Sequence, residues 1–387
     1  MKSFLNMSKN KEYIKNKVKL RKATASDKEI WNNFVSTNFP PVGAFMQTWE
    51  WGEFQIALGR NIDRYFLGDN DNIKAIFTLV HHSLPFGFSY GYAPRGPVMS
   101  KNITDDRERL NIFKNIKSSI LEEHRKLIFL RFEPAIENFN LDLGRDGFHI
   151  TTSYVQPRFN HTVPLNKSES DILSGFHSST RSNINRARNR GVTVEIKNNI
   201  TEADCDLFFQ MIKDTTLRTG GKNIYPNRAY FDALIKILPK HNESFESNNL
   251  SLGIFFGYKD NAPAAIHFVL FFGDTATYLF GASFTETLNS KISTFLHYSA
   301  MKEANERGFK FYDLGGIDEV KWPTLTSFKR QFKGKEFSYM GNIDIPIRPF
   351  LHNTYKFVRL VKSILRDGNL FKSSKRKKTS SKAEKVI

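Results

Sequence analysis

One order of elements occurs twice in this chain, and that repetition restricts the fold more than any single motif. The first copy reads RYFLG-DNDN-IKAIFTLV, two runs of aromatic and β-branched residues around an Asn/Asp turn, so it predicts a strand pair. The strand-like FSYGYAPRGPVM follows. Next comes ITDDRERLNIFKNIKSSILEEHRK, with apolar residues at helical spacing, and then the strand LIFLRFEP. The second copy reads LGIFFGYKDN-APAAIHFVLFF, ATYLFGASF, the helical STFLHYSAMKEANERG and FKFYDLGG. Each copy ends in a strand with a carboxylate near its tip, Glu133 in one and Asp313 in the other. Each also has a helical lead-in, SDKEIWNNFVST with Ser26 as the expected N-cap, and EADCDLFFQMIKDTTLRTG.

Antiparallel strands, one helix, then a strand beneath it predict an α/β chain of two tandem acetyltransferase-like domains with mixed, mostly antiparallel sheets. A length of 387 residues suits two cores better than one. The expected boundaries are 18–158 and 159–341, with 342–366 completing the first domain and 367–387 forming a basic, disordered tail. In this fold class an acyl donor lies where neighbouring strands splay apart.

The formal net charge is +18, which draws the protein to polyanions. Between the two copies, Arg181, Arg186, Arg188 and Arg190 fall on one predicted helix ended by Gly191, and the spacing puts Arg181 and Arg188 on one face. Few acids stand near to pair with them, so phosphate contact is one reading and a solvated helix face the other. The tail cluster Lys375-Arg376-Lys377-Lys378 offers contact with anionic lipid or RNA, or nothing specific.

The single cysteine, Cys205, excludes an internal disulfide and any multi-cysteine metal site, and its acidic neighbours disfavour a thiolate. It reads as a small buried side chain. MKSFLNMSKNKEYIKNK is too polar for a signal peptide, and the longest apolar run, Ala262 to Phe272, is too short to span a bilayer. A cytoplasmic protein is expected, with peripheral contact to the inner membrane face as an option. No Walker-type loop, dinucleotide fingerprint or nucleophile elbow is present, no His pair has metal-motif spacing, and His81-His82 reads as structural. The nearest approach to a coenzyme A cradle, Arg188 to Thr193, lacks the final small residue. Another activated acyl donor is then needed, and the charge points to one carried on nucleic acid.

FMQTWEWGEF, YGYAPRGPVMS, LRFEP, QPRFNHTVPL, RSNINRARNRGV, FGAS, FYDLGGI and FKRQFKG occur in the order seen in the Fem aminoacyltransferases, a family that this chain resembles from about Phe45 to residue 347. The resemblance implies transfer of an amino acid from aminoacyl-tRNA to a stem-peptide amine of a peptidoglycan precursor, lipid-linked or nucleotide-linked. No cofactor and no metal beyond that co-substrate, and a monomer, are expected. Only about forty residues, without sustained heptads, separate the Arg-rich helix from Tyr230, so the chain is similar to the compact form without a coiled-coil arm. Phe328-Lys329 matches the family's Phe-Lys pair, whose lysine acts at the transferred acyl group, and Tyr230-Phe231 matches its Tyr-Phe pair. Arg131-Phe132-Glu133-Pro134 matches a segment whose carboxylate has been proposed as base, lengthened here from Asp to Glu. A phosphate-contacting lysine aligns near Gln55, after Trp51, and an arginine near Tyr225, where Lys222 or Arg228 are possible substitutes. Arg95, Asp313, Gly315 and Gly316 complete the expected substrate wall. Arg181, Arg186, Arg188, Arg190, Arg330 and Lys333 are expected against tRNA.

Amide formation from an ester needs a neutral amine, a stabilised oxyanion and a protonated leaving oxygen. Lys329 among aromatic residues suits the second need, and stacking on those aromatics suits a terminal adenosine. Asp313 reads as a cap on the Gly315-Gly316 turn, with general base as the alternative. For Glu133, base, acceptor contact and an ion pair with Arg131 stay open. Two other functions remain open as well: a nucleic-acid binder without transfer activity, and an acyltransferase with another carrier.

Overall fold

The computed structural model describes residues 19–364 except 70–71, 125, 140–142, 152–154, 221–224, 242–247 and 363. Lys222 and the expected tail, 367–387, lie outside the described residues.

The first unit runs β1 (Leu20–Lys22), α1 (Lys28–Asn38), α2 (Trp49–Ala57), β2 (Ile62–Asp69), β3 (Asn72–Ser83), β4 (Ser89–Ala93), β5 (Val98–Met99), α3 (Asp106–Glu123), β6 (Leu127–Phe132) and β7 (His149–Thr151). The second runs β8 (Phe159–Pro164), α4 (Glu169–Gly175), α5 (Ser178–Asn189), β9 (Thr193–Lys197), α6 (Glu202–Arg218), α7 (Arg228–Ile237), β10 (Ser251–Lys259), β11 (Ala262–Phe272), β12 (Thr275–Ser283), α8 (Ile292–Glu306), β13 (Phe311–Ile317), α9 (Pro323–Arg330) and β14 (Lys335–Ser338). The chain then returns to the first sheet as β15 (Asn342–Pro346) and continues as a helix over 349–362, α10.

Two mixed sheets result. The first has the order β1-β2-β3-β4-β6-β15-β7 with β5 on β3, and the second β14-β8-β13-β12-β11-β10-β9. The duplication is visible in their pairing. In each unit three strands run antiparallel in succession, a helix crosses, and the next strand returns parallel, β6 on β4 and β13 on β12. A further antiparallel strand lies on the far side, β15 on β6 and β8 on β13, each carrying a short edge strand beyond it, β7 and β14.

The sequence placed the lead-in helix correctly but misread its cap. Thr24 and Asp27 form a capping box over the short turn Ala25–Asp27, so α1 starts at Lys28 and Ser26 does not cap it. Gly191, at φ +70°, stands just beyond α5 in the left-handed conformation that ends helices.

The units share a core. Trp31, Trp49, Trp51 and Phe54 of the first pack in one apolar cluster with Phe208, Phe231 and Phe268 of the second, and the Phe54 ring meets Tyr230 edge-on at 4.9 Å. The tryptophan-rich motif therefore serves the junction between units. No helix among the described residues is long and apolar enough to cross a membrane.

Candidate functional site

In the second unit, β12 and β13 pair only over Thr275–Thr277 and Phe311–Asp313. Beyond Asp313 they part. On its other side β13 keeps its bond to β8, but the register shifts between Asp313↔Thr162 and Gly316↔Asn160, so two residues face one. The Gly-Gly step expected as a turn is thus a bulge inside a continuing strand. Gly315 sits there at φ +81°, a conformation that costs glycine nothing. Gly316 is required for a different reason: a Cβ on it would stand 2.5 Å from the Pro157 ring.

Into this splay points Lys329, from the last turn of α9, and its Nζ donates to the Gly316 carbonyl at 2.6 Å. The first half of SFKRQFKG, Ser327 to Arg330, ends this short helix, which Pro323 begins at a position where a missing N–H is harmless. Lys329 is 5% exposed. Burial lowers its pKa to about 8, against the pull of Asp313, which favours the charged form. Asp313 is buried too. Its carboxylate accepts the Gly315 N–H at 2.8 Å and the Asn160 amide at 3.3 Å. Burial pushes its pKa up, while those donors, Lys329 and Arg95 hold it down. A buried Lys–Asp couple therefore flanks the bulge.

Asn160 links the couple to Arg95, whose guanidinium donates to the Pro157 carbonyl at 2.6 Å and to Asn160 Oδ1 at 3.4 Å, and lies 4.6 Å from the Tyr339 ring centre. Behind Lys329 lies a layer that the sequence did not single out. His297 and His267 are buried with ring centres 4.5 Å apart, near Tyr278 and Phe328. Burial holds His267 at about 3 and His297 well below its usual range, the latter also repelled by His267 and Lys329. Both imidazoles are neutral at physiological pH. Only the lone histidine within an apolar strand run, His267, could have drawn notice.

The first unit has no matching separation: β4 and β6 stay paired to their last residues, Ala93 and Phe132, and the Glu133 N–H still donates to the Ala93 carbonyl. Glu133 follows β6 and accepts the Val155 and Gln156 N–H groups at 3.0 and 3.1 Å, together with the Tyr92 hydroxyl. The ion pair with Arg131 left open above does not form. Arg131 turns instead to Asp344 on β15, with two contacts of 2.7 Å, because β6 and β15 are neighbours. Glu133 thus fastens the crossover that delivers Pro157 against Gly316.

The remaining expected residues are dispersed. Phe328 is half-buried against His297 and Phe332, and Phe332 is core. Trp51 is core, and Gln55 is buried and accepts from Arg60. Tyr225 donates to the Gly281 carbonyl at 2.7 Å. Tyr230 packs between Phe54 and Phe280 in the shared core, and burial raises its pKa. Arg228 is engaged by Asp206 and Asp232, and Arg330 by Glu336 and Glu319. Among the arginines of α5 and its C-terminal end, Arg181 bonds the Ser174 carbonyl, Arg188 the Tyr298 hydroxyl and Arg190 the Asn289 carbonyl. Arg186 and Lys333 are exposed. Cys205 is half-buried, and burial raises its thiol pKa.

Asp63, His81 and His124, unrelated in sequence, bring potential ligand atoms within 4.8 Å of one another. These groups already satisfy one another and their neighbours. His81 is 2.7 Å from Asp63, Lys22 is 3.2 Å from Asp63, and the Tyr65 hydroxyl is 2.7 Å from His124.

A family model described as the FemAB family matches residues 140–246 and 237–362, together more than half of the chain. The lipid II:glycine glycyltransferase of Staphylococcus aureus (strain MRSA252) is 24% identical over 357 aligned residues, covering 74% of this chain and 82% of that protein. The enzyme of the same description from Staphylococcus haemolyticus is 25% identical, covering 78% and 89%. Among solved structures, FemX superposes with a TM-score of 0.72 at 19% identity, over 87% of this chain and 99% of that one. A tandem GNAT protein from the clavulanic acid biosynthesis pathway gives 0.50 at 8% identity, over 85% and 98%.

Proposed function

This chain belongs to the FemAB family, and from that premise we propose that it transfers an amino acid from aminoacyl-tRNA to the stem-peptide amine of a peptidoglycan precursor. It is a transferase of the aminoacyl type acting in bridge formation. The donor, and whether the acceptor is lipid-linked or nucleotide-linked, are this reading's own. One observation carries it: a nearly buried lysine stands at the splay of β12 and β13, where acetyltransferase-like folds hold an acyl group.

The chemistry follows from that position. The acceptor amine attacks the ester carbonyl, and the carbonyl oxygen becomes anionic. Lys329, charged below about pH 8 and largely shielded from water, stabilises that oxygen more strongly than an exposed lysine could. As the C–O bond breaks, the ribose oxygen takes a proton, and the amine loses one. The leaving oxygen itself is a sufficient acceptor, because both Glu133 oxygens are engaged by the crossover.

The test supplies radiolabelled aminoacyl-tRNAs with lipid-linked and nucleotide-linked muropeptides. Label passing to one precursor supports the reading and names the amino acid. No transfer from any charged tRNA to either acceptor refutes it.

A further inference from the structure

Helix α10 has two dissimilar sides. One docks on the first sheet: His352 is buried with its imidazole 3.3 Å from Asp344, and the Tyr355 ring lies 5.0 Å from Phe129. The other is bare and apolar. Phe350 is 81% exposed, Phe357 66%, Leu360 58% and Ile364 60%. At 3.6 residues per turn, Phe350, Phe357 and Val361 fall within an arc of about 40°, with Leu360 about 60° beyond one edge. Away from that arc stand Lys356, Arg359 and Lys362, and no acidic residue occurs from 345 to 366.

Charge decides what covers this face. A second copy on a two-fold axis would set two basic helices side by side with no acidic residue between them. Residues 366–387 carry eight basic and two acidic side chains, so that segment is repelled as well. Lys356 and Lys362 stand on the helix flanks, about 110–130° from the centre of the apolar arc, with no acid to compensate them. Such a helix matches a surface that is apolar within and negative at its rim. We propose that this face of α10 docks on an anionic lipid bilayer. The phenylalanines and aliphatic residues enter the boundary between headgroups and acyl chains, and the long side chains of Lys356 and Lys362 reach from the helix flanks to headgroup phosphates. The inference rests on exposure and charge, and it stands or falls independently of the transfer reaction.

The test is sedimentation of the full chain with vesicles of phosphatidylcholine alone or containing phosphatidylglycerol. The wild type is expected on the anionic vesicles, released by salt. Phe350→Asp with Phe357→Asp is expected to lower the partition coefficient by about tenfold or more, at an unchanged melting temperature, since both side chains are exposed. Lys356→Gln with Arg359→Gln and Lys362→Gln should flatten the salt dependence. Three results would overturn the proposal: no binding to anionic vesicles, binding unaffected by the Phe substitutions, or a wild-type dimer that Phe357→Asp converts to monomer.

Discussion

The ammonium of Lys329 is bonded to the carbonyl of Gly316, 2.6 Å away and thirteen residues earlier in the chain. That bond ties a short helix to a bulge, and the bulge in turn leans on Pro157 in the crossover between units. Four consequences can be measured.

The two glycines should respond differently to alanine. Gly315→Ala makes ordinary contact with Lys329 Nζ and the Tyr278 carbonyl, each 3.6 Å away, and suffers mainly from its φ of +81°, so a loss of about 1 kcal/mol is expected. Gly316→Ala drives a methyl group into the Pro157 ring, and a loss of about 2–3 kcal/mol is expected. Urea unfolding of both variants checks the order. Equal losses would mean that the crossover yields to the added methyl.

Lys329 should weaken the fold that holds it. Its pKa of about 8 lies below the unfolded value of about 10.4. Between the two the unfolded chain binds more protons, so stability rises with pH across that window, and the penalty is complete below pH 8. Lys329→Met is expected to stabilise the protein by about 1–3 kcal/mol at pH 7, with the gain fading by about pH 10.5. A variant less stable than wild type at pH 7 would contradict this.

The same ionisation should shape activity. As pH rises, the acceptor amine becomes neutral and the rate climbs, but deprotonation of Lys329 removes the oxyanion's partner near pH 8. The profile of kcat/KM is expected to fall above that pH. Lys329→Arg should be slower but lack the falling limb, since a guanidinium stays charged. Asp313→Asn removes the charge that favours the ammonium, so its falling limb should move below pH 8. A limb unmoved in both variants belongs to another group.

Glu133 should behave as a fastener. Glu133→Gln can still accept the Val155 and Gln156 N–H groups, and a kcat within about threefold of wild type is expected. Glu133→Ala takes the acceptor from those N–H groups and one partner from Tyr92, for a stability loss of about 1–3 kcal/mol. A general base would instead lose about 100-fold or more on amidation.

What was legible in the sequence is what local pattern encodes. The duplicated order of strands and helices was readable because apolar spacing and turn residues are written within each segment. Glu133 was recognised as important but not understood, since its partners are backbone groups more than twenty residues away. The Gly315-Gly316 step passed for a turn because the strand that makes it a bulge, β8, lies some 150 residues earlier. The arginines of α5 looked free because Tyr298 and the carbonyls of Ser174 and Asn289 approach them only in the fold. The eight-residue α9 is too short for its period to stand out.

The most direct measurement is the single-turnover rate of aminoacyl transfer with donor and acceptor saturating, in wild type and Lys329→Ala. If the buried ammonium stabilises the oxyanion, the rate falls by about 100- to 1,000-fold while donor affinity holds. A fall of less than about threefold would show that the chemistry at the splay does not depend on Lys329, and would contradict the account.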